Sequence, residues 1–541
     1  MPRIVIDGRE IQCRDGINVL QAALEAGIEV PHYCYHPALS IVGSCRLCLM
    51  EMKIRNPRTG QLEWSPRLVP SCQTPVADNL EVRFETEPVR ANRRHVMEAL
   101  LLNHPLDCPV CDQAGECWLQ DYALRFGHAD SRMVEVKNKN PKKDIGPHTL
   151  LYQDRCVMCS RCVRFTREVT GTKELCVVNR GSRVEIDVFP GEPLANKLQG
   201  NVVDLCPVGS LLDKDFLFAQ RVWMLRSTPS ICPGCSTGCT TLVDHNENVV
   251  HRIRPRHNPK VNGWWICDDG RYVYQVLRDP RRIVRPEVRM PNGAAADDWP
   301  GLLDLIGREF AAAAARHGDQ AVAAQLSPMM ACEEAWLLAS WVRRIAPGTL
   351  LTLGDVPTEG EDLRFPVGAS EGDAGFTIRS EKCPNRRGVE RVIQAVGGPT
   401  MDRESLSEHM AGGHIAAAWI AGGHFKSGRG PDTLLAGAKQ VGFLVVQDLF
   451  PSPLSGAAAV VLPACPWVER DGTFINFDGV VQPFERAVHP PEGLWRDGQY
   501  LYALAGYEGL YKAERVRSMM AASMPEFGEV YRPPAPPKHQ H

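Results

Sequence analysis

Cys156-Val157-Met158-Cys159-Ser160-Arg161-Cys162, completed far downstream by Cys206-Pro207, is the stretch on which the fold of this chain turns. Three cysteines at this spacing line one tight loop and cap three corners of a cubane, and a remote Cys-Pro closes the fourth. Thr166 stands where a two-cluster ferredoxin would carry its next cysteine, so the stretch predicts one cluster and not two. Cys176 is then left over and reads as a small buried hydrophobe.

Three further ligand sets surround this one. Upstream, Cys34, Cys45, Cys48 and Cys72 offer four soft thiolates, a close pair with two distant partners, in an arrangement that resembles a plant-type ferredoxin with a longer first gap. Gly43 and Ser44 suit a loop wrapped around a two-iron cluster, whereas a four-cysteine zinc site prefers two close pairs. His104, Cys108, Cys111 and Cys117 form a second set within His-Pro-Leu-Asp-Cys-Pro-Val-Cys-Asp-Gln-Ala-Gly-Glu-Cys. Taken alone it fits zinc as well as iron; a neutral imidazole in place of a thiolate removes negative charge and raises a cluster's potential. Cys232, Cys235, Cys239 and Cys267 form the last set, with Gly234 and Gly238 easing the turn, and their spacing leaves zinc and iron both open. Sixteen ligands in four complete sets leave Cys13, Cys176, Cys332, Cys383 and Cys465 unassigned, and scattered core cysteines do not produce complete sets.

Composition agrees with a metal-carrying globular protein. At 541 residues with 44% hydrophobic content, the chain calls for several domains. A formal net charge of -3 argues against a general nucleic-acid binder. The first residues read as a strand and not as a secretory or transit segment, and no apolar run reaches the length of a membrane helix, so a reducing compartment is expected. There, cysteines point to metal and not to disulfides. Seventeen of the twenty cysteines fall at or before Cys267, which divides the chain into a metal half and another half.

The opening Ile4-Val5-Ile6, Asp7-Gly8 and Ile11 read as a hairpin, followed by a helix from Asn18 to Ala26 that Gly27 stops. A second amphipathic helix is predicted from about Val89 to Leu102, leaving His104 on a loop before Pro105. Beyond residue 282, helical segments at Trp299 to Arg316 and Glu333 to Ile345 alternate with apolar runs at Gly442 to Val446 and Ala458 to Leu462, which favours α/β layers. The proline-rich tail reads as an extended arm. No G-x-G-x-x-G follows a predicted strand and no Walker loop is present, so hydride chemistry is expected on a partner. Arg46, Arg155, Arg161 and Arg164 border ligands; each either stabilises a reduced cluster or is an ordinary solvated charge.

Pro31-His32-Tyr33-Cys34, the His104 to Cys117 run, Cys156 to Cys162 followed by Val163-Arg164-Phe165, Val203-Asp204-Leu205-Cys206-Pro207-Val208-Gly209 and the Cys232 to Cys267 set closely resemble the family of large iron-sulfur subunits (75 kDa type) of respiratory complex I, the NADH:quinone oxidoreductase. The likeness covers roughly residues 1 to 275. It implies one 2Fe-2S cluster on the first set and 4Fe-4S clusters on the other three, the fourth being present only in some members and lying off the main path. It further implies a flavin-binding, NADH-oxidising subunit and a ferredoxin-like iron-sulfur subunit as partners, no nucleic acid, and contact with membrane only through other subunits. The expected location is cytoplasmic, in a peripheral arm on the cytoplasmic side of the inner membrane, with no independent catalytic site on this chain.

The implied fold is multidomain, α+β and α/β: a β-grasp 2Fe-2S ferredoxin-type domain (1–80), a His/Cys-ligated 4Fe-4S domain (81–121), a 4Fe-4S ferredoxin-like domain (122–224) and a 4Fe-4S module of the molybdenum-enzyme type (225–281). A shortened molybdopterin-oxidoreductase-like α/β domain (282–530), with Asp471-Gly472-Thr473-Phe474-Ile475-Asn476 its most recognisable patch, and a proline-rich tail (531–541) complete it. Two rivals stay open: a formate-dehydrogenase-type molybdenum enzyme, and the electron-transfer subunit of a soluble NAD-linked hydrogenase. Against the first, Asp269 occupies the place where molybdenum members typically carry a lysine, and Cys383 is the best remaining candidate for a metal ligand.

Overall fold

Asn18 shows how closely local chemistry sets the first fold. Its side chain accepts from the Gln21 amide while Gln21 returns the bond to the Asn18 amide, a reciprocal cap that starts helix α1 (Val19–Glu25) one residue inside the expected span. In the computed structural model, which describes residues 1–289, 298–425 and 433–533, α1 packs on a mixed sheet. Its strands are β1 (Arg3–Ile6), β2 (Arg9–Gln12), β3 (Leu49–Arg55), β4 (Leu62–Trp64), β5 (Val69–Pro70) and β6 (Leu80–Arg83). The order is β2-β1-β6-β3-β4, with β1 and β6 parallel at the centre and β5 paired to β3. That is the expected β-grasp. Asp7 and Gly8 both take positive φ, which closes the β1–β2 hairpin with the twist its strands require.

The chain divides into two units. The first comprises Met1–Leu225 together with Arg364–Phe376. After the ferredoxin sheet it holds α2 (Glu87–Leu101) and α3 (Trp118–Phe126). Helix α2 begins two residues before the sequence-based expectation because Pro88 occupies its first turn, where a missing amide hydrogen costs nothing. There follow a small sheet of β7 (Lys142–Asp144), β8 (Thr149–Tyr152) and β11 (Leu211–Asp213), a β9 (Leu175–Val178) and β10 (Glu185–Val188) hairpin, and two short helices, α4 (Arg161–Arg164) and α5 (Asn201–Leu205).

The second unit starts with an antiparallel sheet of β12 (Arg226–Ile231), β13 (Thr240–Asn246) and β14 (Val249–Pro255), then α6 (Asp268–Arg271). Its body is a six-stranded sheet whose strands, Val460–Pro463, Phe443–Asp448, Ala417–Ala421, Val322–Leu326 and Leu350–Leu353 in spatial order, run parallel, with the short Glu287–Val288 antiparallel at one edge. Alternate residues of each strand enter different cores. Trp419, Val445 and Leu462 pack with helices Trp299–His317 and Cys332–Ile345, while Ala418, Leu444 and Val461 pack with Leu406, Met410 and Leu454 on the other face. Parallel strands buried on both faces are the α/β layering expected from the alternating helical and apolar runs.

The Pro-rich tail falls largely outside the described residues. Among the described residues, no helix is long and apolar enough to cross a membrane. Trp419 is fully buried at the centre of the second unit. Trp419→Ala is therefore expected to destabilise that unit by about 3–5 kcal/mol, read as a lowered denaturant midpoint by far-ultraviolet circular dichroism; an unchanged midpoint would contradict this packing.

Candidate metal centres

Each ligand set arises from a loop that a regular element delivers. In the first set, Cys48 immediately precedes β3, Cys72 sits in the helical turn after β5, and Cys34 and Cys45 lie on the long loop between α1 and β3. Gly43 takes positive φ on that loop, and Ser71 is tied to the Cys48 carbonyl by both its amide and its hydroxyl. The four thiols interact with one another. A hydrogen bond between Cys34 and Cys45 holds the Cys34 thiol below its ordinary value and the Cys45 thiol above it; Cys48 and Cys72 divide in the same way. The Tyr33 amide donates to Cys45 Sγ at 3.4 Å.

The second set encloses a cavity lined by His104, Cys108, Cys111 and Cys117, together with Asp107, Arg155 and Gly209. Cys117 caps the start of α3, and Cys108 and Cys111 bracket a single helical turn. Burial, reinforced by Arg155 and Lys137, pushes the His104 imidazole down to about 4, so the ring is held neutral, the form that ligates metal. Arg155, itself buried, grips Asp107, donates to the Gly209 carbonyl and approaches Cys111 Sγ at 3.5 Å. A Cβ on Gly209 would lie 2.3 Å from Cys111 Sγ, so only glycine leaves that thiol its place.

The third set lines a cavity of its own: Cys156, Cys159, Cys162 and Cys206, with Val157, Ile186, Val208 and Leu211 as apolar wall. Met158 and Ser160 take left-handed backbone, which turns the loop around the cavity before α4 begins. Burial pushes Cys156 up to about 12 and Cys206 up to about 11, so the metal-free thiols keep their protons and metal binding must release them. A stretch of π-helix, Phe165–Val169, follows α4.

The fourth set occupies the β12–β13 connection and the cap of α6. Cys232 donates its amide to the Cys239 carbonyl, and Gly234 and Gly270 direct amides at Cys232 and Cys267 Sγ at 3.5 and 3.4 Å. A Cβ on Gly270 would stand 2.7 Å from Cys232 Sγ. Burial, with each thiol's neighbours in the set, raises Cys232, Cys239 and Cys267. The loop is fastened from below: Asn476 donates to the Thr237 carbonyl, Gln482 to the Gly238 carbonyl, and the Ser236 amide to the Glu381 carbonyl.

Among the described residues no three His, Cys, Asp or Glu side chains close on a single point, so the sets are defined by the loops and cavities that gather them. All sixteen expected ligands fall into their four groups. The five remaining cysteines do not join them. Cys13 donates to the Pro2 carbonyl, Cys176 to the Asp187 carbonyl and Cys332 to Asn385 Oδ1, while Cys383 and Cys465 are buried in the second unit with their thiols pushed up by burial. Of the four flanking arginines, Arg46 is exposed whereas Arg155, Arg161 and Arg164 are buried.

Family profiles match in the same order: a 2Fe-2S iron-sulfur cluster binding domain at 2–87, the NADH-ubiquinone oxidoreductase-G iron-sulfur binding region at 93–132 and the NADH-quinone oxidoreductase subunit 3 ferredoxin-like domain at 146–212. A molybdopterin oxidoreductase Fe4S4 domain follows at 225–279 and a molybdopterin oxidoreductase profile at 391–506. The corresponding NADH-quinone oxidoreductase subunit of Rickettsia bellii is 38% identical over 306 residues, 57% of this chain and 43% of that one. The NADH-ubiquinone oxidoreductase 75 kDa subunit of Reclinomonas americana is 42% identical over 306 residues, again 57% of this chain and 43% of its own. By its iron-sulfur half, the chain belongs to the 75 kDa-type family of NADH-quinone oxidoreductase subunits. The matched stretch spans less than half the length of these curated relatives. A chain of a NAD+-reducing [NiFe]-hydrogenase is 28% identical, covering 41% of this chain and 91% of its own with a TM-score of 0.35.

Gly209→Ala is expected to displace the Cys111 thiol and abolish metal loading at the second set while the third set still loads, as read by metal content per chain and cluster spectra. Full loading of the second set in that variant would contradict the close approach.

Proposed function

We propose that this chain is the iron-sulfur electron-transfer subunit of an NADH:quinone oxidoreductase, receiving electrons from a flavin-binding partner and delivering them toward quinone through a ferredoxin-like partner. The observation that carries the reading is the convergence of four complete ligand sets, two of them lining closed cavities, within modules whose order matches the family. The donor sets fit the clusters assigned to them: a 2Fe-2S cluster on Cys34, Cys45, Cys48 and Cys72, and 4Fe-4S clusters on His104, Cys108, Cys111 and Cys117, on Cys156, Cys159, Cys162 and Cys206, and on Cys232, Cys235, Cys239 and Cys267. When bound, such clusters accept and release single electrons at potentials set by charge, burial and hydrogen bonds to sulfur.

The chain's own residues do the rest. Apolar walls exclude water from the thiols, the Tyr33, Gly234 and Gly270 amides donate to ligand sulfur, and burial keeps His104 neutral. The proposed modules are 1–80, 81–121, 122–224 and 225–281, followed by the α/β domain at 282–530. We place the chain in a peripheral arm on the cytoplasmic side of the membrane, with hydride chemistry on the flavin partner.

Anaerobically prepared protein should carry about fourteen iron atoms per chain when all four sets fill, with paramagnetic signals that appear on dithionite reduction. Zinc in place of iron, with silent spectra, would reject the reading. In His104→Cys the second cluster should persist at a lower potential, because a thiolate adds negative charge; an unchanged potential would remove His104 from the ligand set.

A further inference from the structure

Arg161 and Arg164 lie between the first and third ligand sets. Both are almost fully buried, at 1% and 2% exposure. Arg164 donates to the Cys34 carbonyl of the first set, to the Cys159 carbonyl of the third, and to the Ser40 carbonyl. Arg161 donates to the Tyr35 carbonyl beside Cys34 and to the Leu205 carbonyl beside Cys206, with its guanidinium 4.5 Å from the centre of the Trp118 ring. Among the described residues, neither guanidinium pairs with a carboxylate: their hydrogen-bonding partners are carbonyls, and Glu168 reaches only Ser40 and Arg167. Arg161 Nε is buried without a partner.

Two guanidiniums taken out of water without counter-charges are unfavourable unless anions stand close by. The anions that this part of the fold gathers are the thiolates of the first and third sets. Burial pulls the Arg161 guanidinium down, and the thiols of Cys159 and Cys34 are among the groups that push it back up.

We propose that Arg161 and Arg164 are positioning residues that form a shared cationic bridge, tuning the first and third clusters together. The inference rests on the cluster assignment above. One-electron reduction of either cluster adds one negative charge beside the same two cations. The bridge therefore favours the reduced state of both clusters and screens the charge on one from the charge on the other. Because each side chain binds backbone of both ligand loops, it also fixes the separation of those loops.

The test is an anaerobic dithionite titration of the full chain, following each cluster by electron paramagnetic resonance. In Arg164→Gln, the midpoints of the first and third clusters should both fall, each by at least tenfold in reduction equilibrium, about 59 mV for a one-electron couple. The second and fourth midpoints should hold. Arg164→Lys, which keeps the charge and loses the fork, should recover most of the shift. Arg161→Gln gives the same readout should Arg164→Gln load poorly. Unchanged first and third midpoints in fully loaded variants, an equal shift of all four clusters, or a Lys variant as low as the Gln variant would overturn the bridge. Absence of iron from the unsubstituted chain would instead reject the cluster assignment itself.

Discussion

One apolar cluster gathers ligands from three metal loops, and the first unit is organised around it. Cys34 and Cys45 of the first set, Cys117 of the second, and Cys159 and Cys206 of the third pack with Tyr33, Leu47, Met97, Trp118, Tyr122 and Val208 in a single core. A core built this way couples two demands. Folding requires apolar surface to leave water, and electron transfer requires redox centres close together in a dry medium of low dielectric constant. Helix α3 serves both, since Cys117 caps it while Trp118 donates its amide to Pro207, next to Cys206.

Burying so many polarisable and charged groups is costly unless each is satisfied. The chain meets that cost with arginine. Arg155 binds Asp107 and faces Cys111, Arg161 and Arg164 span two ligand loops, and Arg93 stands over the Phe126 ring while bonded to Glu85. The second unit holds its own cysteine loop differently, through side-chain amides. Asn476 and Gln482 bind the backbone of residues 237 and 238, and Glu333 accepts from both the amide and the hydroxyl of Thr473. The Asp471 to Asn476 patch thus fastens the cluster-bearing loop to the α/β body.

Ligand grouping and module order were legible in the sequence because thiolate spacing within a loop is a local property, and so are the caps that place α1 and the α/β periodicity of the second unit. Asp7-Gly8 and the Asn18 cap likewise announce themselves within a few residues. What the sequence concealed is long-range. Arg161 and Arg164 could be seen beside ligands, but their burial depends on carbonyls 126 and 130 residues away, at Tyr35 and Cys34. The need for glycine at position 209 comes from its approach to Cys111 across a fold that spacing cannot reveal. Helix α2 started early for a reason that was local and available, the proline in its first turn.

The central claim is that the four gathered sets hold iron as one two-iron and three four-iron centres, three of them in a common dry core. Mössbauer spectra of anaerobic protein grown on isotopically enriched iron test it most directly, because each cluster type contributes in proportion to its iron. The account predicts a minor two-iron component, about one seventh of the total, beside a dominant four-iron component, both changing on reduction. A spectrum lacking the two-iron component, or mononuclear iron alone, would contradict it.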